Sequence, residues 1–128
     1  MSEKSDEVQV RELIESWARG VRAGDMERIL ENHAEDIVMF DVPVPLRSRG
    51  MAEYRKTWEL FFENCPPGEE AFNIEELKVT ASDTVAFACG LLRINGSDQP
   101  VCRLTIGLQK LAGRWLIVHE HHSAPHNL

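Results

Sequence analysis

The chain has 128 residues, with 14 Lys and Arg against 21 Asp and Glu, a formal net charge of −7, and 43% hydrophobic residues. A chain of this length fits one domain with a single core, so we expect one domain over residues 1–128 and no two-domain enzyme. The negative charge provides no basic field for a phosphate backbone or an anionic bilayer. Neither nucleic acid nor a membrane is therefore an expected partner.

The sequence also predicts the compartment. No apolar run approaches the ~20 residues of a membrane span, and the first residues are polar where a secretory signal would be apolar. The three cysteines form neither a Cys-x-x-Cys pair nor an even-numbered disulfide framework, which is typical of a reducing compartment. We expect a cytoplasmic protein.

Two helices are predicted at the start of the chain. The first begins near a plausible N-cap at Asp6 and stops at Gly24, because glycine readily adopts the left-handed backbone that ends a helix. Asp25 can then cap a second helix, whose predicted apolar face extends to His33. The first helix is predicted from a stripe with a 3.6-residue period: Val10, Leu13, Ile14, Trp17, Ala18 and Val21.

A strand and a third helix follow. The run over residues 37–40 is short, continuous and rich in β-branched residues, which favours a strand. Pro43 and Pro45 end that strand, since a residue before proline avoids the helical region. Helical spacing returns at Met51 and ends at Cys65, which two prolines follow.

The second half of the sequence predicts four strands. The alternation that starts at Phe72 changes phase near Glu75 and Glu76, which indicates a bulge that bends the strand. Short turns then separate three further strands, and such turns make neighbouring strands antiparallel. The prediction is an α+β fold in the order ααβαββββ, with helices laid on one face of a strongly bent antiparallel sheet. The later strands are predicted over residues 84–94, 101–111 and 115–122.

Asp41 is a candidate catalytic base. If Ile37 and Met39 face the helices, strand alternation points Asp41 the same way, at the end of an apolar stripe. Desolvation there would make the carboxylate a better proton acceptor at neutral pH than a solvated Asp. The alternative is that Asp41 only ends the strand and accepts hydrogen bonds from loop amides before Pro43.

The last predicted strand ends with candidate acid and base groups. Glu120 beside a histidine in a cavity can work as an acid and base pair, because histidine titrates nearest neutrality. Alternatively, these residues lie in solvent or at a subunit contact. Alternation places two sets on opposite faces: Trp115, Ile117, His119, His121 and Ser123 on one, and Leu116, Val118, Glu120 and His122 on the other.

The sequence predicts neither a metal nor a cofactor. His119 and His121 share a face but are too few for the three protein ligands of a catalytic zinc, unless His33 or an acidic residue joins them. No Gly-rich phosphate loop and no Gly-x-Ser-x-Gly nucleophile motif occurs in the sequence.

Several short motifs occur along the chain in the order found in one known family. They are Trp17, Ala23-Gly24-Asp25, His33-Ala34-Glu35-Asp36, Phe40-Asp41, Arg49-Gly50 and the run over residues 115–123. With these motifs the sequence resembles the SnoaL-like, ketosteroid-isomerase-related members of the nuclear transport factor 2-like superfamily. The resemblance covers nearly the whole chain and implies a cone-shaped α+β fold that is usually a homodimer joined through the sheet.

The resemblance also implies roles for individual residues. It places Asp41 where ketosteroid isomerase has its general base, Trp17 where it has a donor tyrosine, and Ile106 near its protonated aspartate. Isoleucine cannot donate a hydrogen bond, so steroid isomerisation is not expected. The resemblance implies a pocket face of Leu104, Ile106, Leu116, Val118, Glu120 and His122, and a dimer face of Trp115, Ile117, His119 and His121.

Together these observations predict a protein for a small apolar molecule that bears a carbonyl or hydroxyl group. The reaction class is cofactor-free isomerisation, cyclisation or elimination, with Asp41 as the base and with His122 and Glu120 moving or orienting a proton. The alternative is a non-catalytic ligand-binding or oligomerisation module of the same fold. The expected ligand contacts are Trp17, Tyr54, Trp58, Met39, Leu104, Ile106 and Val118, although the aromatic members also suit a core.

Overall fold

Three helices and a six-stranded sheet make up the computed structural model, which describes residues 4–128. The order confirms the predicted α+β fold, and the sheet is bent and unclosed. A two-residue strand in the loop before the third helix is an addition to the prediction. The elements are α1 (Asp6–Ala23), α2 (Met26–Leu30), β1 (His33–Phe40), β2 (Ser48–Arg49), α3 (Met51–Asn64), β3 (Phe72–Ala81), β4 (Val85–Ile94), β5 (Cys102–Leu111) and β6 (Arg114–Ser123).

The strands lie in the order β2-β1-β6-β5-β4-β3. The four later strands form the antiparallel ladder that their short turns predict. β1, however, runs parallel to β6, with Met39 opposite Glu120 and Phe40 opposite His121. This long-range pairing places the end of β1 beside the polar end of β6.

The start of α1 differs from the prediction. Ser5 is the N-cap, and its side chain accepts a hydrogen bond from the Val8 amide at 3.2 Å. Asp6 instead accepts a hydrogen bond from Trp115 Nε1 at 3.0 Å and pairs with Lys110 Nζ at 2.6 Å. The predicted cap at Asp6 is therefore wrong, because this carboxylate ties the helix to the sheet.

α1 ends at Gly24, as predicted. A substitution here tests whether a side chain fits between the end of α1 and Pro67. Gly24 has φ 68°, and a Cβ there would lie 2.6 Å from Pro67 Cγ. Gly113 has a similar φ of 77° but nothing within 4 Å of an added Cβ. We expect Gly113→Ala to lower the free energy of unfolding by about 1 kcal/mol and Gly24→Ala by about 2–4 kcal/mol. Urea unfolding of both variants checks this, and equal losses would contradict the steric argument.

The sequence predicts His33 on the apolar face of α2. This prediction is wrong, because His33 begins β1. α2 stops at Leu30, and Asn32 with φ 57° turns the chain out of the helix. The helical spacing therefore does not continue to His33. Its side chain is buried against the sheet.

Two bulges change which residues face the core. The predicted bulge in β3 is confirmed by a register shift between Glu75 and Lys78, where Glu76 has φ 56°. A second bulge, which the sequence did not predict, lies in β6. Leu108 pairs with Ile117 and Gly107 pairs with His119, so Val118 is the extra residue.

The β6 bulge reverses the expected faces of that strand. Trp115 and Ile117 are buried in the core, on the same side as Glu120 and His122. The prediction that Trp115 and Ile117 lie on an outer dimer face is therefore wrong, and so is the prediction that Leu116 and Val118 line the pocket with Glu120. His119 and His121 do lie on the outer face. There Phe40 packs edge-on against both rings.

α1 and α3 cover the inner face of the sheet. The core between these layers is aromatic, with Trp17, Trp58 and Phe72 in edge-to-face contact. Across residues 4–128, no helix combines the length and apolar character needed to cross a bilayer.

Candidate functional site

A cavity of about 420 Å³ lies between α3 and the inner face of the sheet. Its size is typical of a small-molecule site. Most of its wall is apolar or aromatic, and within residues 4–128 the lining contains no Lys or Arg. The lining residues are Met39, Asp41, Val42, Pro43, Thr57, Trp58, Leu60, Phe61, Asn64, Cys65, Phe72, Ile94, Asn95, Cys102 and His122.

Two side chains that can accept protons contribute to this wall. Asp41 follows β1 and His122 lies near the end of β6. The parallel register pairs Phe40 with His121, so each of the two groups lies one residue further along. The pairing of β1 with β6 therefore brings both to one cavity.

Asp41 is half-buried at the cavity wall, and its Oδ1 accepts a hydrogen bond from the Val42 amide at 2.8 Å. Its charge also acts on Cys102 across the cavity. Burial, together with the negative charge of Asp41, raises the pKa of the Cys102 thiol. The sequence allowed two interpretations of Asp41, a group that faces a cavity or a group that accepts a hydrogen bond from a loop amide. In the structure Asp41 does both.

Behind His122 lies a buried polar cluster centred on Glu120, which is 0% exposed. His122 Nε2 lies 3.1 Å from Glu120 Oε1. Glu120 Oε2 accepts a hydrogen bond from the Tyr54 hydroxyl at 2.6 Å and lies 2.7 Å from His33 Nε2. Trp17 Nε1 donates to the Tyr54 oxygen at 3.2 Å. We call His33, Tyr54, Glu120 and His122 the Glu120 cluster.

These contacts determine the ionisation of the cluster. Burial alone would raise the pKa of Glu120, but the hydrogen bonds that Glu120 accepts from His122 and His33 lower it to about 2. Burial and the adjacent Glu120 charge raise the pKa of Tyr54 well above its ordinary value. The cluster therefore holds a carboxylate and a neutral phenol at neutral pH.

The family of the chain follows from a match over nearly its whole length. The sequence profile of the SnoaL-like domain matches residues 10–127. The chain belongs to the SnoaL-like domain family. This agrees with the resemblance in the sequence motifs. A search among curated proteins finds no match.

Solved structures agree with this SnoaL-like fold. An NTF2-like protein of unknown function from Pseudomonas putida is 33% identical with a TM-score of 0.85, over 95% of this chain and 88% of that chain. A proposed ketosteroid isomerase from Parabacteroides distasonis is 16% identical with a TM-score of 0.75, over 95% and 89%. A proposed dehydratase of the NTF2-like family from Streptomyces avermitilis is 14% identical with a TM-score of 0.76, over 95% and 97%. The last two show the fold alone.

In this SnoaL-like domain, some of the predicted site residues line the cavity and others lie behind its wall. Asp41, His122, Trp58 and Met39 line the cavity. Glu120 lies behind His122, where Trp17 and Tyr54 join it through hydrogen bonds. Leu104 and Ile106 are buried on β5 opposite His122 and Glu120, and Val118 occupies the β6 bulge.

The sequence motifs did not place His33 in the site, where it was expected at most as an extra metal ligand. The only signal in the sequence is that residue 33 is a histidine. Its partner Glu120 lies 87 residues away along the chain, so no local motif links the two. In the part of the SnoaL-like domain that the structure describes, no group of three His, Cys, Asp or Glu side chains is arranged to hold a metal ion.

Proposed function

We propose that this protein catalyses cofactor-free proton transfer on a small, mostly apolar molecule that bears a carbonyl or hydroxyl group. The observation that carries the proposal is that the Asp41 carboxylate and the His122 imidazole both line one mostly apolar cavity. A carboxylate and an imidazole can each accept a proton from a substrate, and apolar walls strengthen their interaction with it. Isomerisation, cyclisation and elimination all begin with such a step.

Each residue has a role in the proposed step. Asp41 removes a proton from the carbon beside a carbonyl, the C–H electron pair forms a carbon–carbon double bond, and the carbonyl π electrons move onto the oxygen to give an enolate. The proton on Asp41 then returns to a different carbon, or it passes to a hydroxyl group on the next carbon, which leaves as water while the carbonyl re-forms and a carbon–carbon double bond remains. His122 orients that hydroxyl group by accepting a hydrogen bond from it. Glu120 orients His122 through the 3.1 Å contact with Nε2. Because Ile106 cannot donate a hydrogen bond to the enolate, steroid isomerisation is not part of the proposal.

The test uses 2-tetralone, an apolar bicyclic ketone with acidic C–H bonds, as the probe in D₂O. Binding is followed by the fluorescence of Trp58 in the cavity wall, and deuterium uptake by NMR. We expect the protein to accelerate exchange at the carbon beside the carbonyl above the buffer rate. Exchange at the buffer rate while 2-tetralone is bound contradicts the proposed catalysis.

That outcome supports the second candidate function, a non-catalytic ligand-binding module. The observation that favours it is the hydrogen bond from the Val42 amide to Asp41 Oδ1, which gives this carboxylate a structural role. Under this alternative, Asp41 and His122 only orient a bound molecule.

We also propose that the protein works in a reducing cytoplasmic compartment. The three cysteines are free, which agrees with that compartment.

We further propose that two copies of the chain associate through the outer face of the sheet. Phe87 and Val85 are 53% and 54% exposed on this face, and Phe87 and His119 flank Gly107 in adjacent strands. We expect sedimentation at micromolar concentration to give a dimer, and Phe87→Glu to give a monomer because it places two charges at the contact. A monomeric wild-type protein contradicts the association.

A further inference from the structure

The hydrogen bonds of His33 determine how many protons its ring carries. Nδ1 lies 2.8 Å from the carbonyl oxygen of Glu31, which can only accept, so Nδ1 must carry a proton. Nε2 lies 2.7 Å from Glu120 Oε2 and 2.9 Å from the Tyr54 oxygen. The Tyr54 hydroxyl has one proton, which it donates to Glu120 Oε2 at 2.6 Å, so its oxygen can only accept from His33. Both ring nitrogens of His33 therefore face acceptors.

Two assignments satisfy the short contact between His33 and Glu120. Either His33 carries both ring protons and Glu120 is ionised, or Glu120 carries the shared proton. Both oxygens of Glu120 already face donors, Oε1 towards His122 and Oε2 towards Tyr54, and such contacts favour the ionised carboxylate. The side chains that face His33 and titrate are Glu120 and Tyr54, and Tyr54 is neutral. His33 is thus the imidazolium that balances Glu120.

This balance decides what His122 offers to the cavity. Because His33 already neutralises Glu120, His122 needs no positive charge and donates its Nε2 proton to Oε1 as a neutral imidazole. Its Nδ1 then carries a lone pair. Nδ1 has no hydrogen-bond partner in the described residues 4–128, and His122 lines the cavity, so this lone pair is available to a ligand.

We propose that His33 is the counter-ion of Glu120 and a positioning residue for His122, so that the cavity binds neutral apolar molecules through a hydroxyl group that donates to His122 Nδ1. Asp41 is a second acceptor in the same wall, and the lining holds no Lys or Arg in the described part of the chain. A carboxylic acid would therefore meet repulsion, whereas an alcohol or phenol finds two acceptors. This inference rests on the proposed function, because it concerns the same cavity, and it narrows the class of substrate to molecules with a hydroxyl group.

The first test is ¹⁵N NMR of the histidine side chains in the wild-type protein at neutral pH. We expect His33 to show two protonated ring nitrogens, and His122 to show one protonated Nε2 and one unprotonated Nδ1. A neutral His33, or a proton on His122 Nδ1, overturns the assignment. This measurement needs no variant and no turnover.

The second test compares 2-naphthol with 2-methoxynaphthalene, which has the same ring system but no hydrogen to donate. We expect calorimetry to show that the wild-type protein binds 2-naphthol about tenfold more tightly, because only 2-naphthol donates to Nδ1. Equal affinities, or tighter binding of the methyl ether, overturn the proposed ligand class.

The variant His33→Gln keeps a donor to Glu120 but cannot carry charge. His122 must then become the counter-ion, so we expect a proton on its Nδ1 and loss of the roughly tenfold preference for 2-naphthol. His126→Gln is the matched control, since it makes the same substitution at an exposed residue that does not line the cavity, and it keeps His122 unprotonated at Nδ1. An unchanged preference in folded His33→Gln overturns the positioning role.

These readouts separate the inference from the proposed function. If 2-tetralone does not exchange but the histidine protonation and the 2-naphthol preference are as expected, only the catalytic proposal fails. If exchange occurs with a different protonation of His33 and His122, only this inference fails.

Discussion

Replacing Asp41 by Asn is expected to slow the deuterium exchange of bound 2-tetralone at least about 100-fold, because loss of a general base typically costs that much or more. The amide matches the carboxylate in shape, and its oxygen can still accept the hydrogen bond from the Val42 amide. The loop and the cavity should therefore be preserved. We expect the dissociation constant of 2-tetralone, measured by fluorescence, to change less than about threefold, since the ketone needs no contact with a carboxylate to bind.

Asp36→Asn is the matched control for this result. Asp36 lies on the same strand, β1, but is exposed and does not line the cavity. The substitution makes the same change in net charge, so we expect exchange at the wild-type rate. Equal rates in wild type and Asp41→Asn would remove Asp41 from the mechanism. A loss in Asp36→Asn would indicate a general effect of charge.

Replacing Glu120 by Ala is expected to lower the free energy of unfolding by about 3–5 kcal/mol. The substitution leaves the His33 side chain buried without its counter-ion, and it removes the acceptor of Tyr54 and His122. Glu59→Ala is the control, since Glu59 pairs with Arg55 on the exposed surface of α3. There we expect a loss below about 0.5 kcal/mol. Urea unfolding at neutral pH measures both variants, and similar losses would contradict the buried ion pair.

The acid dependence of unfolding provides a second measurement on Glu120. Its pKa falls from 4.5 to about 2 on folding, so the unfolded chain binds the proton more tightly. The stabilisation, about 3 kcal/mol, is fully present above pH 4.5 and is lost as the pH falls towards 2. The difference in unfolding free energy between wild type and Glu120→Ala should therefore narrow over that range. A difference that stays constant to pH 2 would contradict the lowered pKa.

The two bulges show what local sequence can and cannot predict. In β3, polar residues separate the apolar ones, so the change of phase at Glu75 and Glu76 is visible in the amino-acid sequence alone. In β6 the bulge falls within the continuous apolar run Trp115–Val118, and a phase shift leaves no trace where neighbouring residues are all apolar. The predicted faces of β6 are therefore wrong for the residues that precede this bulge. The order of elements was predictable because turns and helix ends are local signals.

The site could be predicted only in part for a related reason. Asp41 and the Glu120 and His122 pair each stand out within short segments of sequence. What joins them is the parallel pairing of β1 with β6, and no local pattern encodes which strands become neighbours. His33 shows the same limit, because its role depends on Glu120 and Tyr54, which lie on β6 and α3.

The pairing of β1 with β6 also determines when the cavity can form during synthesis. His33 and Glu120 are 87 residues apart, so their contact waits until β6 has left the ribosome. Until then α1, α2, β1 and α3 lack the strands that complete their core. Long-range strand pairing of this kind is slow because closing a long loop costs entropy before any contact repays it. A small molecule that binds this cavity therefore stabilises the finished domain and gives little assistance to the growing chain.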